Sequence, residues 1–147
     1  MLRELQTTTG KVYDAMNKAA EAMVVGMGVV KDYATNTVAF PEEATDKGIF
    51  FVTKEKRAEG VSAGLGEFSD YEDMFMNIKA NEGVKLIAPV KAERYATDQF
   101  TAGAVAGDYL AVGTDGKFAK SESATRFVYR GTKKIDRHDL HVIEVID

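Results

Sequence analysis

Few side chains in this sequence have the type and spacing needed for acid–base or metal chemistry. The only histidines, His138 and His141, lie three residues apart. On a helix this spacing would bring both imidazoles to one face. Residues 140–146 instead have the alternating pattern of a strand, in which an odd spacing puts side chains on opposite faces. The two rings are poorly placed to share a metal ion, and we expect no metal and no cofactor.

A cluster of four acidic residues is the second candidate for a site: Glu67, Asp70, Glu72 and Asp73. Calcium binds several oxygen ligands from one loop. The spacing of these carboxylates departs from the D-x-D-x-D-G pattern of such loops. A solvated loop over residues 59–73 is therefore the preferred interpretation, and a calcium site is the alternative.

The motifs of nucleophilic catalysis and phosphate binding are absent from the sequence. There is no cysteine and no G-x-S-x-G serine motif. Residues 26–28 (GMG) and 64–66 (GLG) lack the third glycine or the lysine that a phosphate-binding loop requires. We therefore expect a protein that is not an enzyme.

Charge and hydropathy exclude two further classes. The 147-residue chain has 19 Lys and Arg against 23 Asp and Glu, a formal net charge of −4. This balance argues against nucleic-acid binding, which depends on neutralising phosphates. No apolar run approaches the ~20 residues of a membrane-spanning helix, and the N-terminus lacks the pattern of a signal peptide. The absence of cysteine fits assembly in a reducing cytoplasm.

Charge is unevenly distributed along the chain. Residues 42–82 contain ten acidic and five basic side chains, whereas residues 117–137 contain seven basic and two acidic ones. Two solvated faces would explain this asymmetry. Complementary patches on neighbouring copies are the alternative, because opposite potentials orient partners in assemblies.

The elements that must position these side chains have the pattern of short strands joined by turns. Residues 107–120 form an apolar run, the pair Asp115-Gly116 and a second run, which predicts a hairpin with a two-residue type I′ turn. Gly26 and Gly28 interrupt a β-branched run and indicate a bulge or a close backbone approach. We expect an all-β fold, a small β-barrel or β-sandwich.

Two predicted strands are apolar on both faces. Residues 48–54 have this pattern and must be covered on both sides by the chain itself or by a partner. Residues 140–146 have it too, which places that strand at the centre of a sheet or against another subunit. A basic loop over residues 131–139 is expected to precede this last strand.

The chain divides into an N-terminal segment, residues 1–23, and a single β-rich domain, residues 24–147. Residues 1–9 are polar and without period, which predicts a frayed arm. Apolar residues between Lys11 and Met23 fall at helical spacing and predict a short helix. The alternative is an extended arm that grips a neighbouring subunit.

Five phrases of the sequence carry a resemblance to a known family. They are residues 26–32 (GMGVVKD), 49–54 (IFFVTK), 93–100 (ERYATDQF), 107–118 (GDYLAVGTDGKF) and 138–147 (HDLHVIEVID). Together they resemble the small decoration, or auxiliary head, proteins of tailed bacteriophages. The resemblance implies a compact β domain without catalysis. Such a domain would bind the major capsid protein on the outer surface of a virion assembled in the bacterial cytoplasm, as trimers or other clusters.

Polarity and position suggest which residues would contact such a partner. We expect the contacts in the N-terminal arm, in the segment from Glu93 to Phe100 and in the basic loop. They are Leu2, Arg3, Thr7, Thr8, Glu93, Arg94, Tyr95, Asp98, Lys133, Lys134 and Arg137.

Two other functions remain open from the sequence. A receptor- or glycan-binding domain of a phage tail or fibre would gather exposed aromatic rings in one groove, with Tyr71, Tyr95 and Tyr109 as candidates. An enzyme with a dispersed site would line a deep cleft with acidic groups or a histidine, drawn from Asp70, Asp73, Asp98 and His138.

Overall fold

A computed structural model describes residues 1–54 and 76–147. The predicted acidic loop, with Glu67, Asp70, Glu72 and Asp73, lies outside these ranges. The described residues are almost entirely strands and turns, which confirms the all-β class. They form thirteen strands: β1 (Leu2–Gln6), β2 (Tyr13–Ala19), β3 (Met23–Val24), β4 (Gly28–Asp32), β5 (Thr37–Ala39), β6 (Phe50–Thr53), β7 (Asn77–Ile78), β8 (Gly83–Ile87), β9 (Arg94–Thr97), β10 (Tyr109–Val112), β11 (Phe118–Lys120), β12 (Phe127–Ile135) and β13 (His138–Val145).

Five strands close into a barrel in the order β2-β5-β4-β6-β8, with β8 returning to β2. All neighbours are antiparallel except β2 and β5. Aliphatic side chains from every barrel strand fill its interior, among them Val29, Val38, Val52 and Leu86. Closure pairs the strands all around and leaves the barrel without a free edge.

A six-stranded antiparallel sheet packs against the barrel, in the order β1-β9-β13-β12-β10-β11. Strand β13 lies between β9 and β12. Of the two places predicted for this doubly apolar strand, the centre of a sheet is therefore the one observed. A two-stranded pair, β3 with β7, completes the described elements.

Aromatic side chains form the layer between barrel and sheet. Phe51 of the barrel stacks on Tyr95 and Phe118 of the sheet, with ring centroids 4.4 and 5.1 Å apart. Its neighbour Val52 points the other way, into the barrel. Strand β6 is thus apolar on both faces because its own chain covers both.

The segment between β3 and β4 brings the backbones of the two layers together. A Cβ atom added to Gly28 would lie 2.5 Å from a methyl group of Val112. Gly26 has a φ of +98°, and a Cβ there would lie 2.4 Å from the Thr97 hydroxyl. Both glycines stand where only hydrogen fits, which confirms the predicted close approach.

The predicted N-terminal helix is wrong. Residues 13–19 form β2 of the barrel, and the preceding β1 joins the six-stranded sheet, so the frayed arm is wrong as well. The buried residues of β2 are Asn17 and Ala19, whereas Val12 and Met16 are exposed. Pairing with β5 and β8 satisfies the backbone of this segment and overrides its helical periodicity.

The two predicted turn regions also differ from the structure. In the β10–β11 hairpin the loop has three residues, Thr114 to Gly116, and of these only Gly116 has a positive φ, +74°. This is a type I turn followed by a glycine bulge, because the Gly116 amide bonds back to the Gly113 carbonyl. The predicted basic loop is instead the outer half of the long β12–β13 hairpin, which turns at Asp136 and Arg137.

Replacing Gly28 with alanine is predicted to lower the free energy of unfolding by about 1–3 kcal/mol, because the new methyl group must displace Val112 in a packed core. Urea denaturation measures this change. Gly83 is the matched control, because a Cβ there meets nothing within 4 Å. Gly83→Ala should change stability by less than about 0.5 kcal/mol. Equal stabilities of the two variants would contradict the close packing of barrel and sheet.

Candidate functional site

Most of the predicted contact residues near the N-terminus interact with other parts of the same chain. Leu2 is half-buried against the cores of both layers. Arg3 forms an ion pair of 2.9 Å with Asp136 at the β12–β13 turn. Thr8 donates hydrogen bonds from its amide and its hydroxyl to a buried carboxylate. Thr7 is exposed, so it is the member of this group that remains free to contact a partner.

The buried carboxylate is Glu93, which was predicted to be a surface contact together with Tyr95. Both residues are fully buried, so this part of the prediction is wrong. One oxygen of Glu93 accepts from Thr8 at 3.1 Å, and the other accepts from the Val90 amide at 2.9 Å and from the Tyr95 hydroxyl. The cluster connects the segment after β1 to β9. The polar groups of Glu93 and Tyr95 therefore bond within the chain and are not available to a partner.

The ionisation of this cluster follows from its contacts. Burial opposes ionisation of Glu93, but the bonds from Tyr95, Val90 and Thr8 and the charge of Lys11 outweigh it and lower the pKa of the carboxyl. Burial and the bond to Glu93 raise the pKa of Tyr95 far above its ordinary value. The ammonium of Lys11 lies 4.6 Å from the centre of the Tyr95 ring. An ionised Glu93 and a neutral Tyr95 are thus the stable forms.

The other two predicted contacts in this region are on the surface. Arg94 forms an ion pair of 3.3 Å with Glu144. The carboxylate of Asp98 pairs with the ammonium of Met1 and accepts from the Gln99 amide at 2.8 Å. Both side chains already have partners within the chain.

Lys133, Lys134 and Arg137 lie on the outer half of the β12–β13 hairpin and are exposed. Lys133 stands opposite Leu140 and Lys134 opposite Asp139, so successive lysines point to opposite faces of the ribbon. In the part of the chain that the structure describes, none of the three cations forms an ion pair or side-chain hydrogen bond. We call these three residues the basic tip.

The sequence analysis missed an apolar surface on the barrel. Val12, immediately before β2, is 58% exposed, and Tyr13 and Met16 within the strand are 47% and 85% exposed. The pairing of β2 with β8 is irregular between Asp14 and Asn17, which displays Met16 outward. We call Val12, Tyr13 and Met16 the apolar ridge. Val12 and Met16 have the helical spacing that predicted a buried helix face, so that spacing gave no sign of their exposure on a strand.

His141 belongs to an aromatic stack between the sheet and the loop after β9. Its ring lies 4.2 Å from that of Phe100 and is nearly parallel to it. Its Nδ1 atom is 2.9 Å from the Tyr129 hydroxyl. Burial lowers the pKa of His141, although the charges of Asp139 and Asp98 partly oppose the shift. Within residues 1–54 and 76–147, no three His, Cys, Asp or Glu side chains gather as a metal site would require.

The structure gives the places of some residues named for the other two functions. For sugar stacking, Tyr95 is buried, Tyr109 is 38% exposed, and Tyr71 lies outside the described residues. For a catalytic cleft, Asp98 is paired with Met1 and His138 is exposed at the start of β13. Asp70 and Asp73 lie outside the described residues.

Replacing Glu93 with glutamine should lower the free energy of unfolding by about 2–4 kcal/mol, because an amide nitrogen would face donors in a buried site. Chemical denaturation at pH 7 tests this, with the exposed Glu122→Gln as control. The folded-state pKa of Glu93 is lowered, so its stabilisation is present at neutral pH and is lost as the pH falls through that pKa. The two variants should therefore converge in acid, and a pH-independent gap would contradict this assignment.

The lowered pKa of His141 predicts that the protein loses stability as the pH falls below the ordinary histidine value of 6.5. The neutral ring is favoured in the folded state, so its stabilisation is complete above that pH and is lost on protonation. Thermal unfolding between pH 7.5 and 5.5 should show this decline. His141→Asn keeps an acceptor near Nδ1 and does not titrate, so its profile should be flatter. Parallel profiles of the two proteins would contradict the role of His141.

Comparison of this chain with known protein families, with curated proteins and with solved structures finds no match. In the described residues, no helix is long and apolar enough to span a membrane. The function must therefore be argued from the surfaces and buried groups described above.

Proposed function

We propose that this chain is a non-enzymatic structural protein that binds the outer surface of a tailed-phage capsid and stabilises it. The observation that carries the proposal is the apolar ridge, Val12, Tyr13 and Met16, on the outside of a closed barrel. Apolar side chains concentrated on an exposed strand are typical of protein–protein contacts.

The ridge is held on a rigid support. Strand β2 pairs with β5 on one side and β8 on the other, and Ala19 at its end lies in the barrel core. Asp14 within the same strand forms an ion pair with Lys31 of β4. A surface fixed in this way binds a partner with little loss of conformational entropy, which favours affinity.

The internal use of polar groups supports a binding role over a catalytic one. Glu93 and Tyr95, the most deeply buried of the predicted site residues, bond to each other and to the chain around them. Their contacts secure β9 to the segment after β1. In the described residues, Val12 and Met16 of the apolar ridge and the three cations of the basic tip are exposed and form no side-chain hydrogen bond or ion pair, whereas the Tyr13 hydroxyl donates to Glu4. Both surfaces suit recognition of another protein.

The mechanism would be the addition of buried area at the joints between capsid subunits. A standard protein–protein interface buries about 1,600 Å², and its affinity depends on a few well-packed side chains. Met16, at 85% exposure, is the strongest candidate for such a side chain. Assembly would take place in the bacterial cytoplasm, and clusters of copies would reinforce each joint.

The double variant Val12→Ser/Met16→Ser should weaken binding to capsids that lack this protein. Loss of the two apolar contacts should cost about 2 kcal/mol, about 30-fold in Kd. Co-sedimentation with purified capsids gives the affinity, and electron microscopy shows where the protein sits. Absence of density on the shell, or density at the tail alone, would overturn the proposal.

The matched control is Tyr33→Ser/Val105→Ser, which removes two equally exposed apolar side chains elsewhere, 72% and 66% exposed. This control should bind like the unmodified protein. Equal weakening by both double variants would show that the ridge is not the contact surface.

A further inference from the structure

The basic tip carries three cations, and the hairpin supplies one further exposed carboxylate beside them, that of Asp139 opposite Lys134. Lys133, Lys134 and Arg137 are exposed and, among the described residues, have no acidic partner within ion-pair distance. The acidic residue at the turn, Asp136, is occupied by Arg3 at 2.9 Å. With Asp139 counted, the exposed positions around this turn still have an excess of positive charge.

A complementary pair of carboxylates lies elsewhere on the surface. Glu42 and Glu43, in the connection between β5 and β6, are both exposed. In residues 1–54 and 76–147 they are the one pair of neighbouring carboxylates without a hydrogen bond or ion pair. The tip likewise holds, in Lys133 and Lys134, the one pair of neighbouring cations without such a contact in those residues.

The two charged sites lie at opposite ends of β12. Asp46, shortly after the acidic pair, accepts a hydrogen bond of 2.9 Å from the amide of Arg126, immediately before β12. On the N-terminal side of the acidic pair, Phe40 lies against Gly116 of the β10–β11 loop, which is also near the N-terminal end of β12. The basic tip closes the far end of this nine-residue strand. A strand of that length spans about 30 Å, so the two sites cannot neutralise each other within one chain.

We infer that the basic tip of one copy binds Glu42 and Glu43 of a second copy, head to tail. Charges of opposite sign that lie beyond the two ends of β12 can pair when copies align end to end. The contact uses different surfaces on the two partners, so it is heterologous and forms rings or chains of copies. It goes beyond binding to a capsid and requires none.

The strength of the contact follows from its exposure. Exposed ion pairs contribute about 0–1 kcal/mol each, and salt screens them. Charge at this interface therefore sets the orientation of neighbouring copies more than their affinity. The association in solution should be weak, and it should decrease as ionic strength rises.

Zero-length carbodiimide cross-linking tests the contact directly, because it joins a lysine to a carboxylate only where the two touch. Equal amounts of ¹⁵N-labelled and unlabelled protein are mixed at low salt. Mass spectrometry should find Lys133 or Lys134 joined to Glu42 or Glu43 in mixed-isotope pairs. These links should disappear at about 0.5 M salt, where the screening length is only a few ångströms.

A charge swap gives the decisive comparison. K133E/K134E/R137E and E42K/E43K should each lose the cross-link alone and should recover it when mixed, because the reversed tip then meets the reversed acidic site. The control K18E/K79E/K91E makes the same change in net charge as the tip variant at exposed lysines outside the tip and the acidic pair, and it should keep the link.

Three results would overturn the inference. They are mixed-isotope links spread evenly over exposed lysines such as Lys47 and Lys91, failure of the mixed swap variants to recover the link, and equal loss in the control. Circular dichroism and thermal unfolding confirm that each variant is folded. Since no capsid is present, the result is independent of the test of the apolar ridge.

Discussion

The fold depends on the close approach of barrel and sheet at Gly26 and Gly28. Gly28 donates a hydrogen bond of 2.8 Å to the Gly116 carbonyl, and Thr97 donates one of 3.0 Å to the Gly26 carbonyl. The first bond joins the two backbones and the second joins the Thr97 hydroxyl to the Gly26 backbone, and a Cβ atom at either glycine would collide with the sheet. The aromatic layer around Phe51 fills the space that remains, so its tight stacking follows from the separation that the glycines set.

The parts of the fold that could be predicted from the sequence depend on local patterns. Alternation of apolar and polar residues predicted many of the strands, and Gly26 and Gly28 predicted the close approach of backbones. The two strands that are apolar on both faces were predicted to be covered on both sides. The predicted N-terminal helix was wrong because Val12 and Met16 have helical spacing in the sequence. Their exposure on a closed barrel depends on the pairing of β2 with distant strands. The predicted two-residue turn was wrong because Gly113 pairs with Lys117, which leaves three residues in the loop, and the pair Asp115-Gly116 alone does not determine that register.

The candidate site could be predicted only in part, again because local patterns do not contain long-range contacts. The sequence identified polar residues, but the choice between surface and interior depends on long-range contacts. Glu93 is buried because Thr8, Val90 and Tyr95 surround its oxygens with donors, and Thr8 is 85 residues away in the chain. Lys133 and Lys134 stay exposed because the β12–β13 ribbon extends beyond its neighbouring strands at the turn. Charged residues in the sequence thus belong both to a buried cluster and to the exposed basic tip, and the sequence does not distinguish the two.

The edges of the structure suggest how a β-rich chain can interact without uncontrolled strand pairing. The barrel has no edge, and β11 at one side of the sheet has only three residues, of which Phe118 donates to the Gln99 carbonyl and accepts from the Thr101 amide. At the other side, β1 carries Arg3 and Glu4 and an irregular register, features that discourage addition of a further strand. Association through backbone edges is therefore disfavoured, and recognition is left to side chains. An apolar ridge and two charged ends are surfaces of that kind. In the proposed assembly each contact would be weak alone and would become effective when many copies are held together, because every added contact is then intramolecular.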